Sequence, residues 1–315
     1  MARRRLGKKR HDAGPSDQRS GALYPGWYWP SFTGVGLLWL ALFFVLPLYV
    51  VLSVAFGTVD PFFRTPLPVY QPWWWSFDTF SATLEKFYVG DRIYLDPLIR
   101  TIVYVVAASL ICLVIGYAVA YFAARHAGKR KGLILVLLVA PFWISYLMRI
   151  YAWQSLLQPD GYVNDVLGVF GVAPIEWLAG KPFTVILGLV YGYIPFMILP
   201  LFGSLDRING SLLEAGRDLG ASPFQTFRRV TLPLSKPAIL AGIVIVSLPM
   251  FGDYYTNTLL GSTTTSMYGN LLDAAVGQAG QGPEAGSLTL ILIFLVMLPM
   301  LYYLRATRRA AEGIT

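Results

Sequence analysis

Six separate apolar segments, each about 20 residues long, constrain this chain more than any other feature. A helix needs about 20 predominantly apolar residues to cross the hydrocarbon core of a bilayer. Six stretches approach or exceed that length, and they lie at about 34–56, 99–123, 133–156, 183–205, 238–260 and 286–304. Because lipid cannot hydrogen-bond the backbone, each segment is predicted to be a helix. The chain is therefore predicted to be an all-α membrane protein with six transmembrane helices.

The composition agrees with a lipid environment. Charged residues make up 13% of the chain, against about 25% in an ordinary soluble domain, and 56% of the residues are hydrophobic. The first apolar segment is too long for a signal peptide and has no small-x-small cleavage site, so we expect it to be retained. The single cysteine, Cys112, is expected to pack in the interior, and with only two distant histidines the sequence offers no metal site.

Basic residues set the predicted orientation. With the N-terminus inside, nineteen of the 25 lysines and arginines lie in cytoplasmic segments and five lie in external ones. This bias follows the positive-inside rule and places both termini in the cytoplasm. The formal charge of +8 therefore reflects topology and contact with anionic lipid, and not nucleic-acid binding. We expect a disordered basic tail at 1–32, a membrane domain at 33–305 and a cytoplasmic tail at 306–315.

A polar segment at 207–236, between the fourth and fifth apolar segments, carries strong local signals for a helix–turn–helix. Residues 212–219 have helical composition, and Gly220 permits the positive φ at which a helix can end. The Ser-Pro-Phe-Gln sequence at 222–225 is that of a capping box that begins a second helix. The expected result is a compact cytoplasmic knob, which would fit a groove on a partner protein or lie on the membrane surface.

The spacing within this segment resembles the coupling loop of permease subunits in ATP-binding-cassette (ABC) importers. The family pattern is Glu-Ala-Ala, three free positions, Gly, nine free positions, an Ile-like residue, one free position and Leu-Pro. The matching residues are Glu214, Ala215, Gly220, Val230, Leu232 and Pro233, while Gly216 stands where the family usually has alanine. The resemblance implies the type I importer permease fold and contact with an ATPase. The coupling residues that it implies are Glu214, Ala215, Leu219, Gly220, Phe224, Leu232 and Pro233.

The sequence encodes no energy source of its own. A Walker A motif needs Gly-Lys followed by Ser or Thr, and the three Gly-Lys pairs here are followed by Lys9, Arg130 and Pro182. By the resemblance, ATP is hydrolysed by a cytoplasmic ATPase dimer made of other chains. The resemblance also implies a second permease subunit, an extracytoplasmic solute-binding protein, surrounding membrane lipid and a place in the bacterial cytoplasmic membrane. It implies neither a catalytic residue nor a cofactor in this chain.

Two charged residues, Arg149 and Asp253, lie within predicted helices and are therefore candidate functional residues. On straight helices rising about 1.5 Å per residue, they lie roughly 24 and 22 Å from the cytoplasmic ends. Three interpretations remain open. The two residues pair and lock their helices together; Asp253 faces the pathway and attracts a cationic solute, with aromatic rings nearby; or Arg149 extends to the outer interface while Asp253 lies in a hydrated crevice. An anionic solute would instead favour Arg149.

Further motifs resemble the spermidine/putrescine branch of this permease family, in particular its B-type subunit, which pairs with a C-type partner. They are Pro141-Phe142-Trp143 with Arg149, Tyr151, Ala152 and Trp153, then Gly161 and Asn164; Gly188-Leu189-Val190-Tyr191 with Pro195-Phe196-Met197; and Gly252-Asp253 with Gly269-Asn270. The resemblance implies a polyamine as the solute, while relatives carry thiamine, ferric iron, phosphonates or opines. The candidate pathway residues are Trp143, Tyr146, Arg149, Asp253, Tyr254 and Asn257.

Two other classes of protein compete with this interpretation. A secondary transporter would use Arg149 and Asp253 as an ion-coupling pair, but it has no need of a capped helix–Gly–helix knob at the family spacing. An intramembrane enzyme is not supported, because the sequence has no His-Glu-x-x-His, no Gly-x-Ser-x-Gly and no pair of intramembrane carboxylates. The sequence therefore favours an ABC importer permease.

Overall fold

The computed structural model describes residues 28–89 and 92–312, and this part of the chain is predominantly helical, as predicted. Its α-helices, in chain order, are α1 Tyr28–Leu40, α2 Leu46–Ala55, α3 Asp78–Tyr88, α4 Leu95–Arg125, α5 Lys131–Val139, α6 Tyr146–Leu156, α7 Tyr162–Val169, α8 Pro182–Arg207, α9 Gly210–Asp218, α10 Pro223–Thr226, α11 Leu232–Phe251, α12 Tyr255–Leu260, α13 Tyr268–Gly277 and α14 Gly282–Glu312. Strands β1 Thr58–Val59 and β2 Pro66–Leu67 form a small antiparallel pair. Most of the tail predicted at 1–32 lies outside the described residues.

Five continuous helical stretches are long and apolar enough to cross a membrane, and a bent pair of helices meets the same criteria when its two members are taken together. The five are Thr33–Ala55, Leu95–Arg125, Pro182–Arg207, Pro223–Phe251 and Gly282–Thr307. The bent pair is Gly128–Trp143 and Tyr146–Leu156, with an angle of 86° between them. The chain divides into a unit that ends at Val51 and a unit that begins at Leu52, and every contact described below lies in the second unit.

The third span is not the straight helix predicted at 133–156. A 3-10 turn at Ala140–Trp143 follows α5, and Ile144 then adopts an extended conformation with a ψ of 139° before α6 begins. Pro141 within that turn contributes no N–H group, so the α-helical hydrogen bonds cannot continue through it. The depth calculated for Arg149 on a straight helix is therefore wrong.

The fifth span also departs from the single helix predicted at 238–260. α11 and α12 are separated by a break at 252–254. Pro249 lacks an N–H group, and the first two amides of the break bond to carbonyls three residues back in place of four. Asp253 therefore lies in a helix break, and not within a continuous helix as predicted.

The core of the second unit forms where α4, α8 and α11 pack against one another. Cys112 is fully buried there, which confirms its interior packing role. Glycines on α8 allow other helices to approach closely. A Cβ added to Gly192 would lie 2.5 Å from a ring carbon of Tyr146, and one added to Gly188 would lie 2.6 Å from the Leu260 side chain. Because these two positions carry no side chain, α6 and α12 can pack directly against α8.

Candidate functional site

The cytoplasmic segment at 207–236 contains the predicted helix–turn–helix, which we call the coupling knob (α9, the turn and α10). The Asn209 side chain caps α9 by accepting a hydrogen bond from the amide two residues on, at 3.2 Å. At the other end the Ala221 amide bonds to the Gly216 carbonyl at 3.0 Å, as in a Schellman motif. Gly220 has a φ of 80°, the left-handed conformation for which a glycine is favoured.

The second helix of the knob begins at a complete capping box. The Ser222 hydroxyl accepts a hydrogen bond from the Gln225 amide at 3.2 Å, and the Gln225 side chain accepts one from the Ser222 amide at 2.9 Å. These bonds satisfy two amide groups that the start of a helix leaves without intrahelical partners. The capping box predicted from the sequence is thereby confirmed.

The residues implied in coupling are all exposed. They are Glu214, Ala215, Leu219, Gly220, Phe224, Leu232 and Pro233. Leu219 is 89% exposed and Phe224 is 70% exposed, and neighbouring apolar side chains of this size form a surface suited to burial against a partner. A Cβ at Gly216 would lie 3.5 Å from Thr226 of the second helix, an ordinary contact. The alanine that is usual in the family would therefore fit at this position.

Two contacts hold the residues on either side of the coupling knob to α4, and a third joins α4 to α11. The Phe227 ring packs edge-on against Tyr117 of α4, with centroids 5.7 Å apart. The Tyr117 hydroxyl is hydrogen-bonded to the Ser235 hydroxyl of α11 at 2.9 Å. Arg125, at the end of α4, donates to the Ile208 carbonyl at 3.0 Å. A displacement of the knob would therefore be transmitted to α4 and α11 together.

A π-helical turn at Phe227–Thr231 joins the knob to α11. Pro233 has no N–H group to bond to the Arg229 carbonyl, and the wider π turn accommodates that loss. The first span has the same arrangement, because the π turn Ala41–Val45 precedes Pro47 at the same spacing. The Leu-Pro of the family spacing thus lies where the cytoplasmic helix continues into a membrane helix.

A buried carboxylate, that of Asp253, lies in the break between α11 and α12 and is 5% exposed. Its Oδ2 accepts hydrogen bonds from the hydroxyls of Tyr146 at 2.6 Å and Tyr193 at 3.1 Å. The Thr256 hydroxyl donates to the same oxygen at 2.8 Å, and the Thr256 amide donates to Oδ1 at 3.0 Å. This carboxylate cluster (Asp253, Tyr146, Tyr193 and Thr256) joins α6, α8 and α12 around one acidic group. Every donor in it is neutral.

Arg149 lies beside the carboxylate cluster without pairing with it. Its guanidinium carbon lies 4.1 Å from the ring centroid of Phe142. It also lies 5.6 Å from the ring of Tyr146 and 5.7 Å from that of Tyr191. The side chain is 8% exposed, and its buried Nη1 has no hydrogen-bond partner. Within the described residues, no ion pair joins Arg149 to Asp253, so the locking pair is absent from this conformation.

The remaining candidate pathway residues lie outside the hydrogen bonds of the carboxylate cluster. Trp143 is 80% exposed. Tyr254 packs on its neighbour Tyr255, with ring centroids 4.0 Å apart. Asn257 is buried on α12 and donates to the Ser262 carbonyl at 3.4 Å, so it stabilises the turn after that helix. Of the six candidates, the structure therefore brings together Tyr146, Arg149 and Asp253 only.

Tyr193, like Thr256, is a member of the carboxylate cluster that was not among the candidate pathway residues. It lies on α8 within an otherwise apolar stretch, and the hydroxyl of a buried tyrosine usually finds a hydrogen-bond partner. This need for a hydrogen-bond partner is the sequence signal that could have identified Tyr193 as a candidate. Nothing local indicated that the partner is Asp253, 60 residues further along the chain.

Neither region has the composition of a metal centre. Across residues 28–89 and 92–312, no group of three or more His, Cys, Asp or Glu side chains could hold a metal ion. The chemical groups available are an exposed apolar knob with charged edges and a buried, hydrogen-bonded carboxylate. Such groups can dock a partner protein and bind a cation.

Comparison with known proteins assigns the chain to a family. Residues 104–311 match the model of the binding-protein-dependent transport system inner membrane component. Over 273 residues the chain is 36% identical to the spermidine/putrescine transport system permease protein PotB of Escherichia coli (strain K12), covering 86% of this chain and 94% of that protein. It is 32% identical over 270 residues to the inner membrane ABC transporter permease protein YdcU of the same organism, covering 79% and 85% of the two chains.

A solved structure supports the fold. A chain in the crystal structure of a bacterial alginate ABC transporter, in complex with an alginate pentasaccharide-bound periplasmic protein, matches with a TM-score of 0.71 at 17% identity. The match covers 90% of this chain and 95% of that one, and the predicted type I importer permease fold is confirmed. The protein is a multi-pass transporter subunit of the bacterial cytoplasmic membrane and not an enzyme. This chain belongs to the family of binding-protein-dependent transport system inner membrane components, the permease subunits of ABC importers.

Proposed function

We propose that this chain is the B-type permease subunit of a polyamine importer, which forms half of the translocation pathway and couples it to a separate ATPase. The observation that carries the proposal is the 36% identity to a spermidine/putrescine permease over 86% of the chain. The coupling knob and the carboxylate cluster supply the two kinds of interaction that such a subunit requires, one with an ATPase and one with a cation.

The partners follow from the same proposal. A second permease subunit, of C type, completes the pathway, and a cytoplasmic ATPase dimer binds the coupling knobs of the two subunits. An extracytoplasmic solute-binding protein delivers the solute to the external segments. The structurally similar alginate transporter was crystallised with a periplasmic protein, which supports this last partner.

Coupling uses the exposed face of the knob and its attachments to the membrane helices. Leu219 and Phe224 enter a groove on the ATPase, and Glu214 makes a polar contact at its edge. When ATP closes the ATPase dimer, the knob moves, and the contacts of Phe227 and Arg125 carry that movement to α4 and α11. The two permease halves then rock to face outward, and ATP hydrolysis resets them.

The carboxylate cluster is suited to a cationic solute. Asp253 accepts four hydrogen bonds, all from uncharged groups, so none of these partners neutralises a carboxylate charge. The rings of Tyr146 and Tyr193 lie beside it, 5.8 Å apart between centroids, and can contribute cation–π attraction. Because Asp253 is only 5% exposed here, an ammonium group reaches it when the helix break rearranges during the transport cycle.

One observation favours a second candidate function. The buried Nη1 of Arg149 has no hydrogen-bond partner, and an unpaired guanidinium donor would bind an anionic group such as a phosphonate. An importer of an anionic solute would have the same architecture and partners. In that case Arg149, and not Asp253, would contact the solute.

The test is ATPase stimulation in the purified complex. This chain is purified with its co-expressed partners, and the solute-binding protein is loaded in turn with spermidine, putrescine, thiamine, ferric iron or a phosphonate. We expect stimulation by the polyamines alone. Stimulation by another solute would overturn the polyamine assignment and retain the importer. A preparation without an associated ATPase would contradict the proposed coupling to a separate ATPase.

A further inference from the structure

A cavity of about 540 Å³ opens between the cytoplasmic ends of α11 and α14. One of its lining residues, Pro233, is among the residues implied in coupling, and none belongs to the carboxylate cluster. The cavity lining combines two cationic side chains, Lys236 and Arg305, with an aromatic ring and apolar surface. The lining residues are Pro233, Lys236, Pro237, Leu240, Tyr302, Arg305, Ala306 and Thr307. The positive-inside distribution places this cavity at the level of the cytoplasmic headgroups.

The two cations of the cavity have no acidic partner among the side chains that the structure describes. Among the side chains that the structure describes, the ion pairs are Lys86 with Glu284 and Lys131 with Asp206, and neither Lys236 nor Arg305 has a carboxylate within 4.0 Å. Two cations that line one cavity without a counter-ion create a positive potential there. Basic cavities between membrane helices on the cytoplasmic side are suited to anionic headgroups.

The surface that leads from the cavity towards the membrane interior is apolar and exposed. Leu298 lies one helical turn before Tyr302 on the same face of α14, and the two side chains are 64% and 68% exposed. Leu301 beside them is 40% exposed. An acyl chain could pack along this apolar strip. A free phosphate ion has no apolar part to bury there, so the strip favours a lipid as the occupant.

We propose that this cavity binds the phosphate headgroup of an anionic phospholipid. Lys236 and Arg305 contact the phosphate, and an acyl chain lies along Leu298 and Leu301. Such a lipid would fill the space between the last membrane helix and the helix that continues from the coupling knob. It would therefore hold these two helices together at the point where movement of the knob enters the membrane.

The test is native mass spectrometry of the purified complex titrated with phosphatidylglycerol. The variant K236Q/R305Q removes both charges of the cavity and keeps side chains of polar character. The control K129Q/R130Q removes the same charge from two exposed residues of the cytoplasmic segment before α5. We expect the cavity variant to lose about tenfold or more in affinity for phosphatidylglycerol, and the control to lose less than about twofold.

Three outcomes would overturn the proposal. Equal loss in the two variants would show that net surface charge attracts the lipid and that the cavity does not select it. Displacement of phosphatidylglycerol by millimolar inorganic phosphate would identify a phosphate site without a role for the acyl chain. Loss of a subunit from the K236Q/R305Q complex would identify a partner protein as the occupant. None of these readouts depends on the transported solute, so they are independent of the polyamine assignment.

Discussion

In the coupling knob, the capping hydrogen bonds join residues no more than five positions apart, whereas Tyr146 and Asp253 of the carboxylate cluster are 107 positions apart. The side chains implied in docking project from the knob into solvent, and those of the cluster bind three helices together. A substitution on the knob can therefore abolish docking while the fold persists. A substitution in the cluster changes the packing of α6, α8 and α12 as well as the charge.

The largest effect is expected for Asp253→Ala, which removes the centre of the carboxylate cluster. It removes the acceptor of the half-buried Tyr193 hydroxyl and of the buried Thr256 amide, at about 1–3 kcal/mol for each unsatisfied group. We expect a loss of stability of about 3 kcal/mol or more, measured by thermal unfolding of the purified complex. Asp253→Asn is the control, because it removes the charge and keeps an acceptor oxygen.

For Asp253→Asn we expect uptake of a polyamine to fall much more than assembly of the complex. Unimpaired uptake would remove Asp253 from the pathway. The double variant Arg149→Ala with Asp253→Ala provides a further check on how the two residues interact. If it restored the assembly and uptake that each single change had lost, the residues would act as a structural pair in another state of the transporter.

Gly192→Ala is expected to have the next largest effect, because it displaces the Tyr146 ring from α8. The added Cβ would lie 2.5 Å from a ring carbon, and overpacking of this kind costs about 1–3 kcal/mol. Gly203→Ala on the same helix is the matched control, since no atom lies within 4 Å of the Cβ that it adds. If thermal unfolding and polyamine uptake change equally in the two variants, close packing at Gly192 does not position Tyr146.

Glu214→Lys tests the coupling knob. The residue is exposed, so we expect the complex to assemble in the membrane while solute-stimulated ATPase activity falls about tenfold, which corresponds to about 1.4 kcal/mol. Asp218→Lys makes the same charge change one helical turn further along α9. Equal losses in both variants would indicate a general electrostatic effect of the knob, and an unchanged activity in Glu214→Lys would contradict the docking assignment.

Ser222→Ala is expected to have the smallest effect. It removes one half of the capping box, and the loss of a serine N-cap costs about 1 kcal/mol. Hydrogen exchange should accelerate at the Gln225 amide and remain unchanged at the amides of α9. Ser211→Ala is the control within the same knob. If Ser222→Ala accelerated exchange at the amides of α9 as much as at Gln225, the two helices of the knob would open together.

The separation along the chain between interacting residues explains which features of this protein could be predicted from its sequence. Span number, orientation and the two caps of the knob depend on the length of apolar runs, the side on which charges lie, and bonds between near neighbours. These are properties of local sequence, and the turn at Gly220 and the capping box at Ser222 and Gln225 were both predicted.

Tertiary structure alone decided the environment of the intramembrane charges. Pro141 and Pro249 were visible in the sequence, but whether each proline bends, breaks or is absorbed by a membrane helix depends on the helices packed around it. The break at 252–254 places the Asp253 carboxylate within hydrogen-bonding distance of two tyrosine hydroxyls. The bend before α6 places the Arg149 guanidinium over the Phe142 ring. The sequence by itself determined which residues enter the membrane and which face the cytoplasm. Only the packing of α6, α8 and α12 decided which of them meet, because hydrogen bonds across 60 or 107 positions leave no local pattern in the chain.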